Sequence, residues 1–316
     1  MERMLGPHAA VESPTFDDPA LEQTYQAART LFVAPKSATS GSAWLLISLV
    51  TFAALELAQH GSVGKLALLV AVLLFHELGH YVGMVALGYR DVRMFFIPLV
   101  GAAVSGRQRG GSQSREAVVL LLGPIPGIAF GVSAAVAAVA LHSTALKTAA
   151  EYLLAINVLN LLPIIPLDGG RLASALLFSR WRRAEGLFVG GTLATALVFC
   201  LAHEAWVFAF VSFFLLLVLP VQLRMSRVAA EMRGTALPLV NDPAALPDSA
   251  ARAIFFGVLR VMPKATPKAA ADWMIQVLEI ACRRPPSMGR SLALSAVWAA
   301  AFVVGVIALA VAGAVK

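Results

Sequence analysis

His76, Glu77 and His80 form the pattern His-Glu-x-x-His inside the run Leu73-Leu74-Phe75-His76-Glu77-Leu78-Gly79-His80-Tyr81. On a helix, a spacing of four puts His76 and His80 on one face, a single turn apart. Two imidazoles so placed can share one zinc ion, and Glu77 beside them suits a general base. Composition does not explain the pattern: 6 His and 11 Glu in 316 residues give roughly 0.004 chance matches. The surrounding run is apolar. Ionisable groups inside a membrane span cost on the order of 2.5–3.5 kcal/mol each for Asp, Lys and Arg. A polar patch that merely links helices is the bland alternative. Three ionisable groups clustered in one apolar run favour chemistry over packing.

Two histidines leave zinc short of ligands, because a catalytic site uses three protein ligands and an open position. The next candidate lies in Asn160-Leu161-Leu162-Pro163-Ile164-Ile165-Pro166-Leu167-Asp168-Gly169-Gly170-Arg171. Pro163 and Pro166 break a helix and Gly169-Gly170 permits a turn, so Asp168 is delivered on a broken helix end. Irregular backbone at membrane depth is tolerated only when buried in protein or lining a watery cavity. Asp168 could instead cap a helix or neutralise Arg171. Beside His76 and His80, the ligand reading is the better one.

His76-Glu77-Leu78-Gly79-His80, with Asn160-Leu161-Leu162-Pro163 and Leu167-Asp168-Gly169, resembles the site-2 protease family of intramembrane zinc metalloproteases. Gly123-Pro124 also fits that family, and the resemblance covers roughly residues 64–180. It implies that His76, His80 and Asp168 bind one zinc ion per chain and that Glu77 activates water. It implies that Asn160 helps hold the substrate. It further implies substrates that are single-span membrane proteins already trimmed by another protease. The chain has no room for a PDZ domain or a paired CBS domain, and a regulatory membrane protein is a further candidate partner.

The elements that must position these residues are membrane spans. The hydrophobic fraction is 59% and the charged fraction 14%, against roughly 45–50% and 25% in soluble domains. Mean hydropathy is +0.78. These values exclude a disordered chain and an ordinary soluble enzyme. Cys200 and Cys282 are too few for a disulfide framework or a Cys-based zinc ribbon. No Gly-x-Ser-x-Gly or Walker pattern is present. Seven apolar runs are long enough to suggest spans: 43–59, 66–87, 117–141, 148–167, 187–201, 206–223 and 291–315. With the N-terminus in the cytoplasm, 22 Lys and Arg fall on the cytoplasmic side and Lys65, Lys147 and Lys316 on the other. That split obeys the positive-inside rule, and it reads the basic excess as topology rather than nucleic-acid binding.

The expected fold class is an all-α polytopic membrane protein with about seven transmembrane helices and a small re-entrant β-hairpin or loop near the active site. The expected divisions are a cytoplasmic arm over 1–42, a transmembrane metalloprotease core over 43–223, a cytoplasmic helical segment over 224–290, and a last transmembrane helix over 291–316. A short helix is expected around Pro19–Phe32, and two more over Pro247–Met262 and Pro267–Arg284. No cleavable signal peptide is evident. Met94–Gly106 is apolar but too short to span as a helix. Pro98 and Gly101 suit an extended segment with a turn. Trp44, Trp206 and Trp298 read as interfacial anchors. The expected location is the cell membrane of a prokaryote, with the lipid bilayer and membrane-protein substrates as partners. The activity so read is an intramembrane zinc endopeptidase. The rival reading from another class is a non-proteolytic zinc-binding membrane protein or transporter whose metal is structural.

Overall fold

Apolar runs that must hide their backbone polar groups in hydrocarbon have few solutions, and the helix is the local one. Helices dominate the computed structural model, which describes residues 18–34, 50, 54, 62–97, 101–107, 111–235 and 239–314. In chain order these are α1 (Pro19–Val33), α2 (Val63–Ala86), strands β1 (Arg90–Ile97) and β2 (Gly101–Arg107), α3 (Gln113–Leu122), α4 (Pro124–Leu141) and α5 (Thr144–Asn160). After them come α6 (Asp168–Ala173), α7 (Arg182–Ala202), α8 (Trp206–Gly234), α9 (Asp248–Val261), α10 (Pro267–Ala281) and α11 (Met288–Ala314). A single π-type turn, Ser174–Phe178, follows α6.

Among the described residues, five helical stretches are long and apolar enough to cross a bilayer: Val63–Ala86, Gln113–Leu141, Ala184–Ala202, Phe208–Gly234 and Met288–Ala314. The chain is thus a multi-pass membrane protein. Seven spans were expected. The run 43–59 lies almost wholly outside the described residues. The run 148–167 becomes the 17-residue helix α5, which stops at Asn160. Such a helix is only about 25 Å long, and the prolines beyond it prevent extension.

The chain divides into two compact units: one of Met1–Ser37 and Val218–Arg283, the other of Ala38–Leu217 and Arg284–Lys316. In the second, α4 and α5 pair most extensively, and α11 packs on both. Ala117, Leu120, Ile128, Leu154, Leu161 and Leu172 form its buried core. Trp298, expected as an interfacial anchor, donates its indole N–H to the Leu161 carbonyl at 2.9 Å. A donor inside a span needs such a partner, and this one clasps α11 to the broken end of α5. Trp206 is 66% exposed, and Trp44 lies outside the described residues.

The strands β1 and β2 pair antiparallel, with Met94 opposite Val104 and Ile97 opposite Gly101. Between Arg90 and Arg93 the register slips, and Asp91 there adopts a left-handed conformation, φ 54°, as bulges often require. Residues 98–100 are outside the described set. The hairpin packs on α2, where Gly106 lies against Met84.

In the first unit, α1 presents Tyr25, Ala28 and Phe32 to a core shared with Met225, Ile254, Phe255 and Met274. Met225 comes from the C-terminal part of α8, the others from α9 and α10. Arg252 fixes α1 by a bidentate pair to Glu22 (2.7 and 3.0 Å) and is itself oriented by Asp248 on its own helix at 2.6 Å. Tyr25 donates its hydroxyl to Asp248, and Arg29 donates to the carbonyls of Pro243 and Leu246. The Arg252 guanidinium, then the Gln26 amide, holds the Glu22 carboxyl below its usual range. Partial burial pushes Asp248 up, but the Tyr25 hydroxyl and Arg252 outweigh it and hold this carboxyl low as well. Both folded-state values are depressed, so their contribution is present above the ordinary carboxylate range and is lost as pH falls through the folded values. The protection of the α1 amides against hydrogen exchange, taken relative to their intrinsic rates at each pH, should therefore fall below about pH 4, more in wild type than in Arg252→Gln. Equal loss of protection in both would remove this ion-pair network from the account of α1 docking.

Candidate metal centre

Which ring nitrogen a histidine presents to a cation is set by the hydrogen bond that the other one makes. On α2, His76 Nδ1 lies 2.8 Å from Asn157 Oδ1. The Asn157 amide nitrogen in turn donates to the Leu153 carbonyl at 2.7 Å. That bond orients the amide, so its oxygen faces His76 and accepts the Nδ1 proton. His80 Nδ1 donates to the Val119 carbonyl at 2.9 Å on α3. In the neutral rings both Nε2 atoms are acceptors. They sit 3.1 Å apart, and Asp168 Oδ2 lies 3.1 Å from one and 2.9 Å from the other.

Three acceptors thus converge in a buried place, since His76 is 2%, His80 6% and Asp168 9% exposed. Mutually repelling lone pairs held this closely call for a cation among them. Zinc bound tetrahedrally at about 2.0–2.1 Å sets its ligand atoms roughly 3.3 Å apart, close to the spacing here. Two imidazoles and one carboxylate also leave one tetrahedral position open, the arrangement of catalytic rather than structural zinc. The residues fit the metal.

The elements that hold this geometry are packed backbone to backbone. A Cβ on Gly79 would lie 2.0 Å from the Leu122 carbonyl oxygen, and one on Gly123 would lie 2.4 Å from the His80 ring. A Cβ on Gly127 would meet the Asn157 amide at 2.1 Å. The 161–167 turn folds back over α6, so Gly169 and Gly170 lie against the backbone of Leu161 and Ile164. Asp168 begins α6 and makes no cap for it. Arg171 pairs with Glu116 at 3.4 Å, so neither alternative role for Asp168 is the one its carboxylate occupies.

Of the residues singled out from sequence, His76, His80 and Asp168 come together, and Glu77 is buried on the same helix at 9% exposure. Asn160 is not among the converging atoms; its amide nitrogen donates to the Ile156 carbonyl at 3.0 Å on its own helix. Sequence reasoning missed Asn157 and the Val119 carbonyl. Asn157 carried a readable signal, because a polar amide inside an apolar span needs a buried partner. The Val119 carbonyl carried none.

No family model matches the chain. Over 155 aligned residues the chain is 36% identical to stage IV sporulation protein FB of Bacillus subtilis (strain 168), an alignment covering 46% of this chain and 51% of that protein. The chain therefore spans about half the length of the curated relative it matches.

Removing the oxygen that fixes a metal-binding histidine typically weakens metal binding about 10–100-fold. Asn157→Ala should do so in a chelator-competition titration, while Asn160→Ala should leave affinity near wild type. Unchanged affinity in Asn157→Ala would dismiss its orienting role.

Proposed function

We propose that the chain is an intramembrane zinc metalloendopeptidase of the site-2 protease type, cleaving peptide bonds in or near transmembrane segments of single-span membrane proteins. The observation that carries this reading is the convergence of His76, His80 and Asp168 in a buried place, with Glu77 on the same helix. The similarity to stage IV sporulation protein FB and the paired sequence motifs support it. Zinc, when bound, would supply Lewis acidity that polarises a scissile carbonyl and brings the pKa of a bound water to about 7. His76, His80 and Asp168 would hold it, with the two rings braced by Asn157 and Val119. Glu77 takes the proton of the attacking water and delivers it to the leaving amine. Burial of the site limits bulk water. Asn160 helps hold the substrate strand.

A substrate helix hides its carbonyls in its own hydrogen bonds and must unwind before attack. The β1–β2 hairpin offers an outer strand edge that can pair with the unwound segment by strand addition. A structural metal site in a transporter would have no use for a base such as Glu77.

Glu77→Gln should retain bound zinc and lose hydrolysis of a single-span substrate by about 10²–10⁴-fold, whereas His76→Ala and Asp168→Asn should lose zinc itself. Hydrolysis undiminished in Glu77→Gln would defeat the proteolytic mechanism. In the same assay, proline at Ala103, Val104 or Ser105 removes a main-chain donor. At least one of the three should cut cleavage sharply with zinc retained; undiminished cleavage in all would reject strand addition.

The same reading, with all seven expected spans crossing, places the N-terminus and residues 224–290 in the cytoplasm and Lys316 outside. Single cysteines at positions 10 and 250 should be shielded from an impermeant reagent that labels position 145, and the opposite pattern would reverse the orientation.

A further inference from the structure

A cavity of about 750 Å³ opens where the C-terminal end of α2 meets the N-terminal ends of α3 and α11. Its charged lining is entirely basic: Arg115, Arg284 and Arg290, with no carboxylate in the wall. All three side chains are exposed, and none pairs with an acid among the described residues. The rest of the wall is apolar, from Leu87, Val118, Pro285, Ala293 and Leu294, with Ser114 and Ser287 among the arginines.

The backbone fixes this wall. Arg284 N donates to the Gly111 carbonyl at 2.7 Å and its carbonyl accepts from Gln113 N at 3.1 Å, a short parallel bridge at the start of α3. Arg284 and Arg115 are thus held beside one another at the entry to the bundle. Arg290 joins them from the first turn of α11, whose N-cap Ser287 accepts from Arg290 N. Two helices begin here, and their partial positive ends add to the field of the arginines.

The height of the cavity selects its occupant. One span ends and two begin at its rim, so the rim lies at a membrane–water interface. A ligand here meets three guanidinium groups at its polar end and aliphatic side chains at the other. Guanidinium groups bind phosphate oxygens in forked pairs, and basic pockets between spans recognise anionic headgroups. We propose that this cavity seats the phosphodiester headgroup of an anionic phospholipid, with its acyl chains along Leu87, Val118 and Leu294. The assignment does not depend on proteolytic activity. A free phosphate ester shares the headgroup chemistry but gains nothing from the apolar half of the wall.

The test uses the full chain, purified and reconstituted in nanodiscs of phosphatidylcholine alone or mixed equimolar with phosphatidylglycerol, and reads retained lipid by native mass spectrometry. Wild type should retain phosphatidylglycerol in preference to phosphatidylcholine. The triple variant Arg115→Gln, Arg284→Gln, Arg290→Gln should lose that preference by about a hundredfold, taking about fivefold per arginine. A charge-matched control, Arg260→Gln, Lys264→Gln, Lys268→Gln, should keep it. Equal retention by the cavity triple, or equal loss in both triples, would overturn the site. Inorganic phosphate forms the other arm: full displacement of phosphatidylglycerol by phosphate at low concentration would overturn the lipid assignment in favour of a soluble phosphate ligand. If the triple does not yield monodisperse protein, the three single variants replace it, each expected to weaken retention about fivefold; wild-type retention in all three would reject the proposal.

Discussion

The membrane unit is organised around two protons. The Nδ1 hydrogens of His76 and His80 are each given to a fixed oxygen, one on a side chain and one on a main chain. With both rings neutral, the remaining ring nitrogens are acceptors, and they face a third acceptor on Asp168. Such a cluster is unstable alone in a low-dielectric place. It persists because α2, α3, α5 and α6 each contribute one rigid part, and because a cation that satisfies all three is the natural complement. The fold is best understood as the means of holding those four parts in register.

Close approach is how the register is kept. Helices in lipid gain little from the hydrophobic effect between them, so small residues that let backbones touch take on that role. Gly79 and Gly123 let α2 meet the α3–α4 junction at the place where His80 must sit, and Gly127 makes room for the Asn157 amide. The Gly79 of His-Glu-x-x-His is thus a packing residue within the motif, with the adjoining histidine as its beneficiary.

Much of this was legible before any coordinates. The two histidines, the carboxylate and the break before it were readable because each rests on local chemistry: helical spacing, proline, and the cost of charge in an apolar run. The hairpin was readable from an apolar stretch too short to span with Pro98 and Gly101 inside it. What could not be read was non-local. Nothing in the sequence says that the Val119 carbonyl would face an imidazole, since every residue has a carbonyl. The bond that Trp298 makes was equally hidden, because its partner, Leu161, is 137 residues away. The length of α5 was misjudged because apolarity continues through Pro163 while helix does not.

The bond between Arg252 and Glu22 joins residues 230 positions apart. Translation makes α1 first and its partner late. At about 5–20 residues per second, α1 waits on the order of ten to fifty seconds while α2, the α3–α4 stretch, α7 and most of α8 are synthesised. Through that interval Tyr25 and Phe32, buried in the finished protein, have no α9 or α10 to cover them. Biogenesis of the chain therefore includes a period in which an apolar helix face near the N-terminus is open to chaperones and to neighbouring nascent chains, and that period closes only when the segment after α8 has left the ribosome.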